Sequence, residues 1–238
     1  MAKMKTSVLT KLFPMALALS MAVTAHAQST VSKDILITKG ERVKKEISSV
    51  SGDVTLSSGV IAERSVSTVS GDVQLGSKTN VGDVNTVSGD VDAGKRSKVS
   101  SIETVSGDIH LYEAVEVDGL IESVSGDVTC DGGSEVKGDI QTVSGDIEMD
   151  DTRVRGDLAT VSGDISLYNE SFIDGDILIN RKNSMSPMPM GKLEILIDMN
   201  STVKGSIKVK EDNTNVVVIL ANGGKVKGEI INAKVVKR

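Results

Sequence analysis

Hydrophobic and polar residues alternate along most of this chain, in two short runs that recur at nearly constant spacing. In residues 136–142 the apolar side chains occupy the even positions, and in residues 143–149 they occupy the odd positions. Strict alternation predicts half-buried β-strands, because successive side chains of a strand point to opposite faces. The change of parity between Thr142 and Val143 predicts a corner with Val143 pointing inward. The polar residues 150–153 predict a turn, so one coil consists of two short strands and a loop.

The tetrapeptide Val-Ser-Gly-Asp opens the second run and occurs seven times. The copies begin at Val50, Val69, Val87, Val105, Val124, Val143 and Val161, with steps of 19, 18, 18, 19, 19 and 18 residues. A repeat this short cannot bury its own apolar face, so neighbouring copies must stack into one continuous core. We therefore predict an all-β parallel β-helix, or β-solenoid. Parallel crossover connections favour a right-handed turn.

Equivalent positions of the copies support this prediction. The residue after each repeat Asp is always apolar: Val54, Val73, Val91, Ile109, Val128, Ile147 and Ile165. So is the residue two positions further on: Leu56, Leu75, Ala93, Leu111, Cys130, Met149 and Leu167. Alternation continues with more degenerate copies towards the C-terminus, and Val216–Leu220 is apolar enough to be covered on both sides. About ten coils, each rising about 4.8 Å, predict a rod of about 50 Å.

The first residues have the features of a secretory signal peptide. Lys3, Lys5 and Lys11 precede or flank a short apolar run, and Ala25-His26-Ala27 has the small-x-small form of a cleavage site. We expect residues 1–27 to be removed, 28–191 to form the solenoid repeats, and 192–238 to form degenerate or capping coils. The mature chain is then exported without a transmembrane segment, to the periplasm, the cell surface or the extracellular space. Cys130 is the only cysteine, so no intramolecular disulfide is expected.

The charge of the chain is unevenly distributed. Residues 48–191 carry 10 basic and 25 acidic side chains, whereas the segments on either side carry a net positive charge. An acidic body argues against nucleic acid as a partner, because it would repel a polyanion. The positive ends, which include Lys44, Lys45, Lys234 and Lys237, disfavour end-to-end stacking of copies.

The repeated aspartates form the candidate interaction site of the sequence. Outward-facing carboxylates recur once per coil at Asp53, Asp72, Asp90, Asp108, Asp127, Asp146 and Asp164. They could hold a partner or divalent cations such as Ca²⁺. The alternative is that each Asp accepts hydrogen bonds from turn amides next to the repeat Gly. The serines of the repeat, also outward, could offer a hydroxyl lattice to ice or a crystalline polysaccharide, or simply be small residues that suit a corner.

Catalytic chemistry has little support in the sequence. His110 lies in an outward column, and Cys130 lies in an apolar column, where it is expected to be an inert core thiol. Ser184–Met190 contains three methionines that could ligate Cu(I), although a crossover packed on the rod is the alternative. We predict no catalytic residues, no metal ligands and no cofactor.

The Thr-Val-Ser-Gly-Asp-Val/Ile units at residues 86–91, 104–109 and 160–165 resemble those of bacterial adhesin-like families with a single-stranded β-helix. The later Val-Lys-Gly-Ser-Ile and Val-Lys-Gly-Glu-Ile copies are similar to bactofilins, which are polymer-forming solenoids without a cleaved signal. The resemblance implies the same fold and supplies no catalytic motif.

Together these features predict an exported, non-enzymatic, adhesin-like or structural protein of the cell envelope. Its partner would be an envelope or cell-surface protein, a glycan or a second copy of itself. A cation- or polysaccharide-binding rod is the alternative, and a β-helix enzyme acting on polysaccharide is a more distant one.

Overall fold

The computed structural model describes residues 28–30, 32–181, 191–211 and 215–238. Over these residues the chain contains only β-strands and no helix. The predicted signal peptide and the methionine-rich segment Ser184–Met190 lie outside the described residues. The all-β prediction is confirmed.

The strands stack as eleven successive coils of a parallel β-solenoid. Coil 1 consists of β1 (Gln28–Thr30) and β2 (Ile35–Ile37). In coils 4 and 5 the first two strands are continuous, as β9 (Asn80–Thr86) and β11 (Lys98–Thr104). The other coils contain three separate strands.

The first strands of these coils are β3 (Arg42–Val43), β6 (Ile61–Ala62), β13 (Glu116–Val117), β16 (Glu135–Val136), β19 (Arg153–Val154), β22 (Phe172–Ile173), β25 (Thr202–Val203) and β28 (Lys225–Val226). The second strands are β4 (Ile47–Ser49), β7 (Val66–Thr68), β14 (Ile121–Ser123), β17 (Ile140–Gln141), β20 (Leu158–Thr160), β23 (Ile177–Ile179), β26 (Ile207–Val209) and β29 (Ile230–Ile231). The third strands of coils 2–11 are β5 (Val54–Leu56), β8 (Val73–Leu75), β10 (Val91–Ala93), β12 (Ile109–Leu111), β15 (Val128–Cys130), β18 (Ile147–Asp150), β21 (Ile165–Tyr168), β24 (Leu193–Ile197), β27 (Val216–Leu220) and β30 (Lys234–Lys237).

Each strand pairs in parallel with the equivalent strand of the neighbouring coil. Val91, for example, is in register with Val73 on one side and Ile109 on the other. The third strands, with β2, form one eleven-stranded sheet. Equivalent repeat positions therefore stack directly above one another, and the predicted architecture of about ten coils is confirmed.

The prediction of two strands per coil was wrong for most coils. The chain bends at Gly138 between β16 and β17, so the predicted strand over residues 136–142 is divided in two. Gly138 sits so close to the coil below that an added Cβ would lie 2.3 Å from the carbonyl oxygen of Gly119. At the position equivalent to Gly138, the strand is continuous only in coils 4 and 5, where β9 and β11 run through it.

The solenoid core consists of the predicted apolar columns. Ile140, Ile147 and Met149 of coil 7 are at most 1% exposed, and their equivalents in neighbouring coils are buried in the same way. Cys130 occupies the column of Leu111 and Met149. β27 is buried on both faces, with Val217 and Ile219 at 8% and 5% exposure, as its continuous apolar run predicted.

The repeat valines do not point into the core, contrary to the prediction. Val143 is half-buried, whereas Thr142 before it is 2% exposed and Gly145 after it is buried. The corner takes up both Val143 and Ser144, so the parity changes across two residues instead of one. The equivalent valines Val50, Val69, Val87, Val105, Val124 and Val161 are half-buried in the same way.

The Val-Ser-Gly-Asp corner is absent from coils 9 and 10. Stacking nevertheless continues past residue 191, because β24 pairs with β21 and β27 pairs with β24. The second and third strands of these coils are separated by 13 and six residues of sequence, instead of four or five.

Candidate interaction surface

The repeated aspartates are linked head to tail along the rod. The backbone N–H of each repeat Asp donates a hydrogen bond to Oδ1 of the Asp one coil earlier. The distances include 3.0 Å from Asp72 to Asp53, 2.8 Å from Asp146 to Asp127, and 2.7 Å from Asp164 to Asp146. The series begins at Asp34, which accepts from Asp53, and ends where Glu194 N donates to Asp164. We call this series the aspartate ladder.

The repeat glycine explains why the ladder forms at this corner. A Cβ on Gly145 would lie 1.8 Å from the carbonyl oxygen of Gly126, and one on Gly163 would lie 1.8 Å from that of Gly145. Only glycine lets successive corners approach this closely. The following Asp amide is then within reach of the carboxylate below it.

A buried hydroxyl column lies on the inner side of the corner and was missed by the sequence reasoning. Thr142 Oγ1 donates to the carbonyl of Gly145 at 3.0 Å, and Thr86 does the same to Gly89 at 2.9 Å. In coil 8 the direction reverses, because Gly163 N–H donates to Thr160 Oγ1 at 3.1 Å. The signal was present in the sequence, since the residue before every repeat Val is Ser or Thr. In coils 4, 6, 7 and 8 the column satisfies a glycine polar group inside the corner.

A second, shorter ladder was also missed. Asp157 N donates to Asp139 Oδ1 at 2.9 Å, Asp176 N to Asp157 Oδ1 at 2.8 Å, and Ser206 N to Asp176 Oδ1 at 2.7 Å. Burial raises the pKa of Asp176, but hydrogen bonds from Lys208 and from the Ser206 amide outweigh it and hold the pKa below its usual value. The signal for this ladder was the recurring Gly-Asp pair between the first two strands.

These contacts show that one oxygen of each ladder carboxylate already has a structural partner. The donor is the backbone amide that follows the repeat Gly, as expected if the aspartates accept hydrogen bonds from turn amides. This amide belongs to the next coil and not to the coil of the accepting Asp. Within the described residues no three His, Cys, Asp or Glu side chains converge as metal ligands. Ca²⁺ binding along the ladder stays a prediction.

The face formed by the first strands carries paired charges. Lys137 bonds to Glu116 and lies 2.7 Å from Asp118, and Lys98 lies 3.3 Å and 3.0 Å from the same two carboxylates. The hydrogen bonds from Lys137 and Lys98 lower the pKa of both Glu116 and Asp118. Arg155 pairs with Glu135 on the same face at 2.7 Å. The charges on this face are therefore largely compensated.

The two nucleophile or base candidates, His110 and Cys130, lie on neighbouring strands but on opposite faces of the sheet. His110 Nε2 is 3.1 Å from Asp131 Oδ2, and its ring stacks on Tyr112 with centroids 4.0 Å apart. His110 faces outward between Asp92 and Thr129, as predicted. Cys130 is 1% exposed, and burial, helped by the charge of Asp131, raises its pKa to about 12. A thiol in this state is a poor nucleophile.

A shallow groove of about 730 Å³ runs along the turns after the third strands. It is lined mainly by polar side chains, among them Asp150, Asp151, Asn169, Glu170, Asn200 and Asn222. Asp151, Asn169, Glu170, Asn200 and Asn222 all have positive φ angles, which Asn and Asp tolerate better than most residues. The sequence reasoning identified these turns as polar but did not predict a groove.

The stacked coils, the ladders and the hydroxyl column define a β-solenoid repeat protein whose most regular polar residues hold its coils together. The profile of the family described as Toastrack DUF4097 matches residues 19–116 and 84–188, so the chain belongs to this family. No curated protein and no solved structure matches the chain. In the part of the chain that the structure describes, no helix has the length and apolar character needed to cross a membrane.

Proposed function

We propose that this chain is an exported, non-enzymatic β-solenoid that serves as an adhesin-like or structural component of the cell envelope. The observation that carries the proposal is the aspartate ladder, because the motif that recurs most regularly joins coil to coil. A repeat devoted to stacking suits a rod that presents a long surface to a macromolecular partner. The basic and apolar N-terminal sequence supports export to the periplasm or the cell surface.

Fractionation of a Gram-negative host that expresses the full chain tests this proposal. We expect a processed product beginning near Gln28, outside the cytoplasm, as measured by mass spectrometry and by blotting against compartment markers. The matched control replaces Lys3, Lys5 and Lys11 with Glu, which should retain the unprocessed chain inside. Protease treatment of intact cells then separates a surface location, which favours adhesion, from a periplasmic one, which favours a structural role. An unprocessed cytoplasmic chain with its natural N-terminus would overturn the proposal.

The groove favours polysaccharide binding as a second candidate function. Amide and carboxylate side chains converge there, as in many sites that hydrogen-bond sugar hydroxyls, and Asn222 Nδ2 already donates to Asp198 at 2.8 Å. Affinity electrophoresis against envelope polysaccharides should show retardation that is lost in Asn200→Ala/Asn222→Ala. The control is Ser125→Ala, whose side chain lies outside the groove and which should be retarded as much as the wild type.

A further inference from the structure

Charge is segregated around the circumference of the rod. The second strand, the corner and the first three residues of the third strand of coils 2–8 carry eleven carboxylates and no lysine or arginine. In coils 4 and 5 the second strand is the end of β9 and of β11, residues 84–86 and 102–104. The carboxylates are Asp53, Asp72, Asp90, Asp92, Glu103, Asp108, Glu122, Asp127, Asp146, Glu148 and Asp164. We call this surface the acidic face. Among the described residues, none of its seven ladder aspartates forms an ion pair, whereas the acids of the first-strand face do.

The acidic face also presents an apolar column. The seven repeat valines are half-buried on the outside of the corner, one per coil, directly beside the ladder. These partly exposed side chains run the length of the acidic face, which is about 30 Å for seven coils. The surface therefore offers apolar contact and negative charge together.

Coil 11 has the complementary character. Residues 225–238 carry five basic side chains and one acidic side chain. The basic residues are Lys225, Lys227, Lys234, Lys237 and Arg238, and within the described chain none of them forms an ion pair. Ile231 and Val235, among these residues, are 38% and 41% exposed. Exposed apolar groups surrounded by cations suit a partner that is apolar and anionic.

We propose that coil 11 of one copy docks on the acidic face of a second copy, giving end-to-side association of rods. This inference rests on the proposed structural role and names a partner for it. The net positive charge of both end segments opposes end-to-end stacking, but it favours contact between an end and the acidic side. Since the acidic face repeats once per coil, it offers coil 11 several equivalent positions.

Two charge variants and their mixture test the proposal. The face variant is Asp90→Asn/Asp108→Asn/Asp127→Asn, which keeps a carbonyl oxygen to accept each ladder amide. The end variant is Lys225→Glu/Lys227→Glu/Lys234→Glu. The chain is purified as the host makes it, and association is measured by sedimentation velocity in about 20 mM and about 500 mM NaCl, which respectively preserve and screen surface charge. Unchanged thermal melting of each variant establishes that it folds.

We expect the wild type to associate in low salt and to dissociate in high salt. Each variant alone should associate more weakly than the wild type. An equimolar mixture should regain association, because one variant keeps the basic end and the other keeps the acidic face. The control Asp131→Asn/Asp151→Asn/Glu170→Gln removes the same number of charges from the turns and should associate like the wild type.

A wild type that is monomeric in low salt, or a mixture that does not form a complex, overturns the proposal. So does lysine-dependent binding to anionic phospholipid vesicles in the absence of self-association, which would assign coil 11 to a membrane surface. A monomeric but exported chain would refute only this inference, whereas a cytoplasmic chain that associates would refute only the proposed function.

Discussion

The Oδ1 atom of Asp127 accepts a hydrogen bond from the backbone N–H of Asp146, one coil further along, at 2.8 Å. The same relationship joins each repeat Asp to the next, so a surface carboxylate takes the role that a backbone carbonyl has in an ordinary strand pair. A hydrogen bond to a charged acceptor contributes more than a neutral one. It also offsets the repulsion between stacked carboxylates, which is about 1 kcal/mol per pair in water.

Replacing Asp127 should separate hydrogen bonding from charge. Asp127→Ala leaves the Asp146 amide without its acceptor and should lower the free energy of unfolding by about 1 kcal/mol or more. Asp127→Asn keeps an acceptor oxygen and removes one repelling charge, so it should stay within about 0.5 kcal/mol of the wild type. Urea denaturation followed by circular dichroism measures both. Equal losses in the two variants would mean that the charge itself, and not the acceptor, stabilises the corner.

Glycine at the corner should be irreplaceable where coils touch. In Gly145→Ala the new Cβ meets the Gly126 carbonyl oxygen, so coils 6 and 7 must separate, at a cost of about 3 kcal/mol or more. In Gly132→Ala the nearest atoms, of Asp151, are 3.8 Å and 3.9 Å away, so this variant should melt within a few degrees of the wild type. Thermal melting compares them. A Gly145→Ala protein as stable as the Gly132→Ala control would contradict the close stacking of the corners.

The buried hydroxyl column gives a matched pair of substitutions. Thr142 Oγ1 is bonded to Gly145, and Thr142→Val should therefore cost about 1 kcal/mol. Thr104 Oγ1 is buried with no hydrogen-bond partner among the described residues, so Thr104→Val should be neutral or stabilising. Both side chains are at most 2% exposed and the change in shape is the same. The free energy of unfolding, measured by chemical denaturation, should be higher for Thr104→Val than for Thr142→Val. The reverse order would refute this account of the column.

Acid should weaken the first-strand face. Hydrogen bonds from Lys137 and Lys98 lower the pKa of Glu116 and Asp118 in the folded state, so the unfolded chain binds protons first. Their contribution is present above the ordinary carboxyl pKa values and is lost as the pH falls through the lowered folded values. The wild type should therefore lose more stability than Glu116→Gln/Asp118→Asn between pH 5 and pH 2, as measured by urea unfolding at each pH. Asp151→Asn, which removes an exposed turn carboxylate, should instead follow the wild type.

The core could be predicted from the sequence because alternation and a fixed repeat leave few ways to bury the apolar residues. Ile140, Ile147 and Met149 lie where their columns placed them. The corner could not be predicted in the same way. The alternation of residues 143–149 predicts that Val143 points inward, but the corner takes up both Val143 and Ser144, so the last buried side chain before the corner is that of Thr142.

The sequence predicted which aspartates share a column, but not the groups to which they are hydrogen-bonded. The seven ladder aspartates do stack in one column at the surface, as their spacing indicated. Each carboxylate bonds to a backbone amide of the neighbouring coil. The distance between these two groups depends on how closely the coils stack, and the repeat pattern does not give that distance. Alternation likewise puts Thr142 on the same face as Ile140, but it does not show that the Thr142 hydroxyl bonds to the Gly145 carbonyl.

In the aspartate ladder every copy supplies the same acceptor to the copy after it and the same donor to the copy before it. Any unit can therefore follow any other, and whole units can be duplicated or deleted without redesigning the junction. The length of the rod could therefore change during evolution in steps of one coil, about 4.8 Å each. An engineer could do the same by splicing in another unit of 18 or 19 residues.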